Sequence, residues 1–342
     1  MRQIQEPSVW RGADIQDDPA WMHHLTDQEI AEIDAAVHAS KAAGLSLDDM
    51  TPGNFPVPRL RARLAALTHE IEEGLGLYLL RGFPAEAYDK SDLRRLFWGL
   101  GLHCGTAVSQ SARGDVLGDV RDLGAAHDGP AFRGYTSNGA LTYHTDAADV
   151  TGLFCLRPAK RGGLSRIVSL GQVHNEILAS RPDLLKVLYE PYPWGRQGNE
   201  LPGQSPYYTQ PIFAVHDGKF AGRYTRTHIR TAELGGVCLT DPQAEALDLI
   251  DAICARPGFA LSMMFQAGDI QFLNNHLTLH TRTAFEDDDD PDRKRHMLRL
   301  WLSPSNSRAL APGFGPFFRD TRAGAVRGGF PGHGKDRHFQ TS

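Results

Sequence analysis

Hydrophobic positions in the first third of the chain recur with helical spacing. Thr26 followed three residues later by Glu29 has the form of a capping box, and Ile30, Ile33 and Val37 then fall on one helical face. Gly44 is placed to stop that helix. A Pro/Gly-rich break, TPGNFPVP, leads into a second helix with Leu60, Leu64, Leu67 and Ile71 on one side. LYLLRGF, over 77–83, reads as a buried strand ending at Gly82. From about Leu141 the pattern changes to short β-type runs separated by turns: LTYHTD, GLFCLR, SRIVSL, PIFAV, KFAGRYTR, FALSMMF, GDIQFLNN and RHMLRLWL. Two helices interrupt them, near 171–180 and 241–256; the second has Pro242 near its start and Leu247, Ile250 and Ile253 on one face. Many short strands with turn signals predict a sandwich or barrel rather than a doubly wound sheet.

Composition narrows the classes further. With 342 residues, 41% hydrophobic and 23% charged, the chain has the make-up of an ordinary globular protein with a substantial core. A formal net charge of −5 gives no support for a general nucleic-acid partner. No GxGxxG follows a strand and no GxxxxGK[ST] occurs, so nucleotide-binding readings lack their local chemistry. Cys104, Cys155, Cys238 and Cys254 are scattered without zinc-like spacing and are expected as free, buried thiols of a reducing compartment. The N-terminal MRQIQEPSVW lacks an apolar run and no segment reaches the length of a membrane span, so a cytoplasmic location is expected.

Candidate chemistry concentrates in Tyr143-His144-Thr145-Asp146. In a strand, positions i and i+2 point to one side, so His144 and Asp146 can aim an imidazole and a carboxylate at one point. Far downstream, Asn274-Asn275-His276-Leu277-Thr278-Leu279-His280 offers two further histidines. Two histidines and one carboxylate make the facial triad of non-haem iron(II) oxygenases, which leaves three coordination positions open. In Arg293-Lys294-Arg295-His296-Met297-Leu298-Arg299, alternation puts Arg295, Met297 and Arg299 on one face. Two arginines beside apolar neighbours point to an interior anion site, since a guanidinium fork can bind a carboxylate with two parallel hydrogen bonds. The acidic run 286–290 lacks the spaced ligands and glycine of a calcium loop and is expected as a solvated turn.

Together these residues resemble the taurine and 2,4-dichlorophenoxyacetate dioxygenase-like enzymes, relatives of clavaminate synthase. The resemblance covers roughly 77–303 and is carried by YHTD, NNHLTLHTRTAFED and RHMLRLWL in matching order and spacing. It implies a double-stranded β-helix (jelly roll, cupin-like), mainly β with flanking helices. It also implies Fe(II), 2-oxoglutarate and O2 as cofactor and co-substrates, and oxidation of a small, anionic organic substrate with release of succinate and CO2. Carried over residue by residue, His144, Asp146 and His280 would ligate iron, with Asn275 pointing to His280 rather than His276. Arg295 would pair with the far carboxylate of 2-oxoglutarate, with the Ser165 hydroxyl assisting. Arg299 would hold the substrate's anionic group.

Arg226, if its segment is an inward-facing strand, and Gln110, at the end of the 103–110 loop, are further candidate substrate contacts. That loop has Thr106 where the taurine enzyme has a histidine, which argues against taurine itself. Residues 191–211 could form a lid or an ordinary connection. The expected organisation is one catalytic domain: a mostly helical 1–76, a jelly-roll core with inserts over 77–303 and a tail over 304–342, with self-association left open. Two rival readings stay in view, a cupin-like metal enzyme that does not use 2-oxoglutarate and a non-catalytic jelly-roll binding protein.

Overall fold

A computed structural model of the protein describes residues 1–124, 136–332 and 337–339. The two N-terminal helices form as the spacing predicts, over Asp27–Ala42 and Pro58–Glu73. Thr26 and Glu29 make the reciprocal capping box, so two of the first helix's orphan N–H groups are satisfied. A third helix, Lys90–Cys104, was not legible as amphipathic because its polar residues sit mainly in the first half and every residue from 96 to 101 is buried, Leu96, Phe97, Trp98 and Leu100 among them. Its Gly99 and Gly101 allow close approach, since a Cβ at Gly99 would meet the Phe55 ring at 2.6 Å and one at Gly101 would meet Leu300 at 2.4 Å.

These helices cover one face of the larger sheet. Its strands run in the order Met22–His24, Leu77–Arg81, Ile270–Asn274, Val150–Arg157, His296–Ser303, Asp115–Val120 and His338–Phe339. Alternation along the central His296–Ser303 strand sorts its side chains: Leu298, Leu300 and Leu302 pack under the helices with Phe97, Phe154 and Phe272. Met297 falls on the other face, in a second cluster with Leu79, Ile167, Leu261 and Met263. Ile167, Leu261 and Met263 belong to a smaller antiparallel sheet, ordered Leu261–Met263, Ser165–Ser169 and Thr278–Arg282. The two sheets therefore face each other across a shared interior, the arrangement of a jelly roll.

A third apolar cluster lies around the helices Leu170–Ser180, Pro182–Leu188 and Asp241–Cys254, with the hairpin Tyr192–Gly195/Tyr207–Gln210 against it. Residues 191–211 are thus mainly a hairpin. The segment after Ser303 is built into this cluster through Phe314, Phe317, Phe318 and Phe330. Cys104, Cys155 and Cys254 are buried, but Cys238 is exposed, because it lies in the turn between two helices.

A buried ion pair between Arg327 and Asp149 helps tie the C-terminal segment to the core. Arg327 Nε donates to Asp149 Oδ1 at 2.8 Å, and His276 Nε2 meets the same oxygen at 2.7 Å. Ser303 Oγ donates to Asp149 Oδ2 at 3.0 Å. Removing one partner of a buried pair strands a charge and typically costs about 3–5 kcal/mol. Arg327→Ala should therefore lower the urea midpoint by a cost of that order; an unchanged midpoint would show the pair to be dispensable.

Candidate active site

The YHTD segment approaches the small sheet without becoming a regular strand. His144 makes single bridges to Thr225 and His280, with backbone N–H···O distances of 3.0 and 2.9 Å to and from His280. The ladder stops after one rung because the Asp146 N–H turns to the Asn275 side-chain oxygen at 2.9 Å instead of a backbone carbonyl. The expected strand is corrected to this short bridge, yet the i, i+2 consequence survives. The ligating atoms of His144, Asp146 and His280 lie within 4.8 Å of one another.

Hydrogen bonds orient His144 and Asp146, whereas His280 Nδ1 is buried with no hydrogen-bond partner among the described residues. His144 Nδ1 contacts the Thr142 carbonyl at 2.8 Å, so that nitrogen carries the proton and Nε2 is the available lone pair. Asp146 Oδ2 accepts from Thr151 Oγ1 at 2.8 Å and Trp301 Nε1 at 3.0 Å. Oδ1 has a longer contact, 3.5 Å from Arg299 Nη1, and is the oxygen with most free capacity. Burial pushes the Asp146 carboxyl up, but Arg299, His280 and His144 together outweigh it and hold it well below the usual range. Burial, then the neighbouring His144, pushes His280 down to about 3. At neutral pH the set is therefore a neutral His280 and a carboxylate converging on one point beside an open cavity. Two imidazole nitrogens and one carboxylate with space in front fit an octahedral Fe(II) with open positions.

His276 is elsewhere. It is buried against Asp149 and forms part of the structural network, not of the convergent group.

The cavity encloses about 300 Å³. At one end lie Ser165, Arg282, Arg295 and Met297. Arg295 is buried, at 7% exposure, and immediately precedes the His296–Ser303 strand. A register shift between His296 and Met297 does not disturb the expected face: Arg295, Met297 and Arg299 all line the cavity. Among the described residues Arg295 Nη1 has no hydrogen-bond partner, and Nη2 meets only the Met297 sulfur at 2.6 Å, a weak acceptor. A buried guanidinium so poorly partnered is costly until an anion meets it. Arg282 shares this end; burial, then repulsion from Arg295, lowers it to about 10, so it remains a cation at neutral pH.

The lining also includes Gln110, Gln197, Thr227, His228, Arg299 and Phe330. Gln110 grips Arg299 twice, accepting from its Nε at 2.7 Å and donating from Nε2 to its backbone carbonyl at 2.9 Å. Arg226 is not at this site. Its segment turns into the helix Arg226–Leu234, and its guanidinium pairs with Asp248 and, at 3.0 Å, with Asp251 on the neighbouring helix. Two adjacent carboxylates on Asp241–Cys254 claim the charge, so the expected substrate contact is withdrawn. Phe330, Trp301 and Arg282 were not anticipated. Arg282 could have been, because on the Thr278–Arg282 strand it stands two residues from His280 and shares its face.

A jelly roll with a His-Asp-His group and a cation-lined cavity defines a non-haem Fe(II) oxygenase. The family model described as "Taurine catabolism dioxygenase TauD, TfdA family" matches residues 43–301. The chain is 33% identical over 306 residues to FR-33289 synthase of Streptomyces rubellomurinus, covering 88% of this chain and 90% of that protein. It belongs to the TauD/TfdA family and is an Fe(II)- and 2-oxoglutarate-dependent dioxygenase. It is also 28% identical over 313 residues to the taurine hydroxylase-like protein SAT17 of Stachybotrys chartarum, covering 87% of this chain and 79% of that one. The fold is similar to that of asparagine oxygenase bound to Fe(II), hydroxyasparagine and succinate. The TM-score is 0.66 at 16% identity, with 86% of this chain and 98% of that chain covered.

Proposed function

We propose that His144 Nε2, Asp146 Oδ1 and His280 Nε2 hold the Fe(II), and that Arg295 and Ser165 hold the far carboxylate of 2-oxoglutarate. Arg299, clamped by Gln110, receives the anionic group of a small organic substrate whose C–H bond is hydroxylated. The observation that carries this reading is the meeting of the triad with two arginine side chains in one cavity. Bound Fe(II) supplies the centre at which O2 is reduced as 2-oxoglutarate is converted to succinate and CO2.

The chain's own part is orientation. Thr151 and Trp301 fix the Asp146 carboxylate by filling Oδ2, which leaves Oδ1 for the metal. Thr142 fixes the His144 tautomer. Arg295, just before the His296–Ser303 strand, and Arg299, within it, lie two residues to either side of Met297 and both line the cavity, so two anions can be held there. The apolar walls, Leu153, Phe265 and Phe330 among them, limit the water beside the reacting bond. We read residues 1–342 as one catalytic unit, because Phe330 of the C-terminal segment forms part of the cavity wall. The unpaired cysteines support a cytoplasmic setting, and among the described residues no helix is long and apolar enough to cross a membrane.

The reading is tested by incubating the Fe(II)-loaded protein with 2-oxoglutarate in air. Slow succinate release without substrate is expected, and no succinate with any small carboxylate or other anionic candidate would oppose it. Arg299→Ala removes a charge-assisted contact worth roughly 1.5–3 kcal/mol, so substrate KM should rise about ten- to a hundredfold. The same change takes a cation from Asp146, so kcat should also fall. An unaltered KM would remove Arg299 from substrate binding.

A further inference from the structure

The co-substrate end of the cavity holds a second guanidinium that the reading above does not use. Arg282 is 7% exposed and lines the cavity. Its Nη2 donates to the Ser137 carbonyl at 3.1 Å and to the Gly139 carbonyl. Its Nε is buried with no acceptor among the described residues. Among the described residues no carboxylate lies within ion-pair distance of it; Asp122 and Asp287 act on it only from further away. The guanidinium stacks on the Phe285 ring at 4.4 Å, and Arg295 faces the same ring at 5.1 Å. Two buried cations thus meet at one aromatic ring, each with an unsatisfied N–H. Like charges in a poorly solvated site repel, and each unfilled donor adds its own desolvation cost. One carboxylate answers both demands, because its two oxygens offer about four acceptor positions.

We propose that Arg282 is a second guanidinium of the co-substrate pocket, shared with Arg295 by the far carboxylate of 2-oxoglutarate, and that it makes this pocket selective for a 2-oxo acid with a carboxylate at its far end. This rests on the placement of 2-oxoglutarate against Arg295.

Arg282 also braces the segment that carries the metal ligands. Besides its grip on the carbonyls of Ser137 and Gly139, its own carbonyl accepts from the Leu141 N–H at 3.0 Å. Thr281 Oγ1 donates to the Leu141 carbonyl at 2.5 Å. Three residues later the chain reaches His144.

The test is an anaerobic titration of the Fe(II)-loaded enzyme, following the visible absorption that forms when a 2-oxo acid chelates the metal. Two probes are compared: 2-oxoglutarate and 2-oxopentanoate, which has the same five carbons but no far carboxylate. In Arg282→Gln, Kd for 2-oxoglutarate should rise about tenfold or more, as expected for one charge-assisted contact, while Kd for 2-oxopentanoate changes less than about twofold. A purely structural role would weaken both probes alike, and that result, or an unchanged Kd for 2-oxoglutarate, overturns the proposal. Arg295→Gln is titrated in parallel. If it too leaves 2-oxoglutarate binding unchanged, the placement against Arg295 fails; if it alone weakens binding, only the role of Arg282 fails. Should Arg282→Gln not fold, Arg282→Met keeps the length of the stem without the charge, and wild-type selectivity in that variant overturns the proposal.

Discussion

The His280→Ala protein should bind Fe(II) more than about a hundredfold more weakly and give no turnover, a loss beyond that caused by disturbing a residue that merely supports a ligand. His280 is one of three donors, and its ligating atom lies within 4.8 Å of those of His144 and Asp146. Burial keeps its imidazole neutral, so it offers a lone pair and not a second positive charge. Without it the site has one imidazole and one carboxylate, too few to hold a divalent ion against water. His276→Ala is the control. That histidine lies four residues upstream and is fully buried, but it contacts Asp149. Its loss should lower thermal stability while Fe(II) affinity stays within a few-fold of wild type. Equilibrium binding of Fe(II) to both variants, measured anaerobically, separates them. Loss of binding in His276→Ala with retention in His280→Ala would reverse the assignment.

Arg295→Ala should raise the apparent requirement for 2-oxoglutarate by on the order of a hundredfold, corresponding to a few kcal/mol for a charge-assisted pair in a partly dry site. Among the described residues its Nη1 is unpartnered and its Nη2 faces only a thioether. The binding gain is therefore not offset by breaking a good internal hydrogen bond. Fe(II) affinity in the absence of co-substrate should be little affected, because the side chains that donate to the Asp146 carboxylate are Thr151, Trp301 and Arg299, not Arg295. The check is the dependence of succinate formation on 2-oxoglutarate concentration. A normal half-saturating concentration in Arg295→Ala would place the co-substrate elsewhere.

Much of this site was legible because it rests on the shortest-range rule of β structure. The i, i+2 spacing in His144-Thr145-Asp146 and in Arg295-His296-Met297-Leu298-Arg299 brings side chains to one side wherever the backbone is extended, even though His144 sits in a bridge and not a strand. Arg226 failed for the opposite reason. The run KFAGRYTR has β-type composition, but the strand stops at Gly222 and a helix begins at Arg226. The carboxylates that capture Arg226 lie 22 and 25 residues later, a pairing no local pattern reveals. Phe330 was out of reach in the same way, since it enters the cavity only through packing of the C-terminal segment on the third apolar cluster. The helix Lys90–Cys104 was obscured because every residue from 96 to 101 is buried, which removes the polar face that periodicity depends on.

The account is tested most directly by a crystal structure grown without oxygen in the presence of Fe(II) and 2-oxoglutarate. It predicts one metal ion bound by His144 Nε2, Asp146 Oδ1 and His280 Nε2. The keto acid should chelate that ion and extend its far carboxylate to Arg295. A metal ion bound through His276, or a 2-oxoglutarate whose far carboxylate lies away from Arg295, would contradict it.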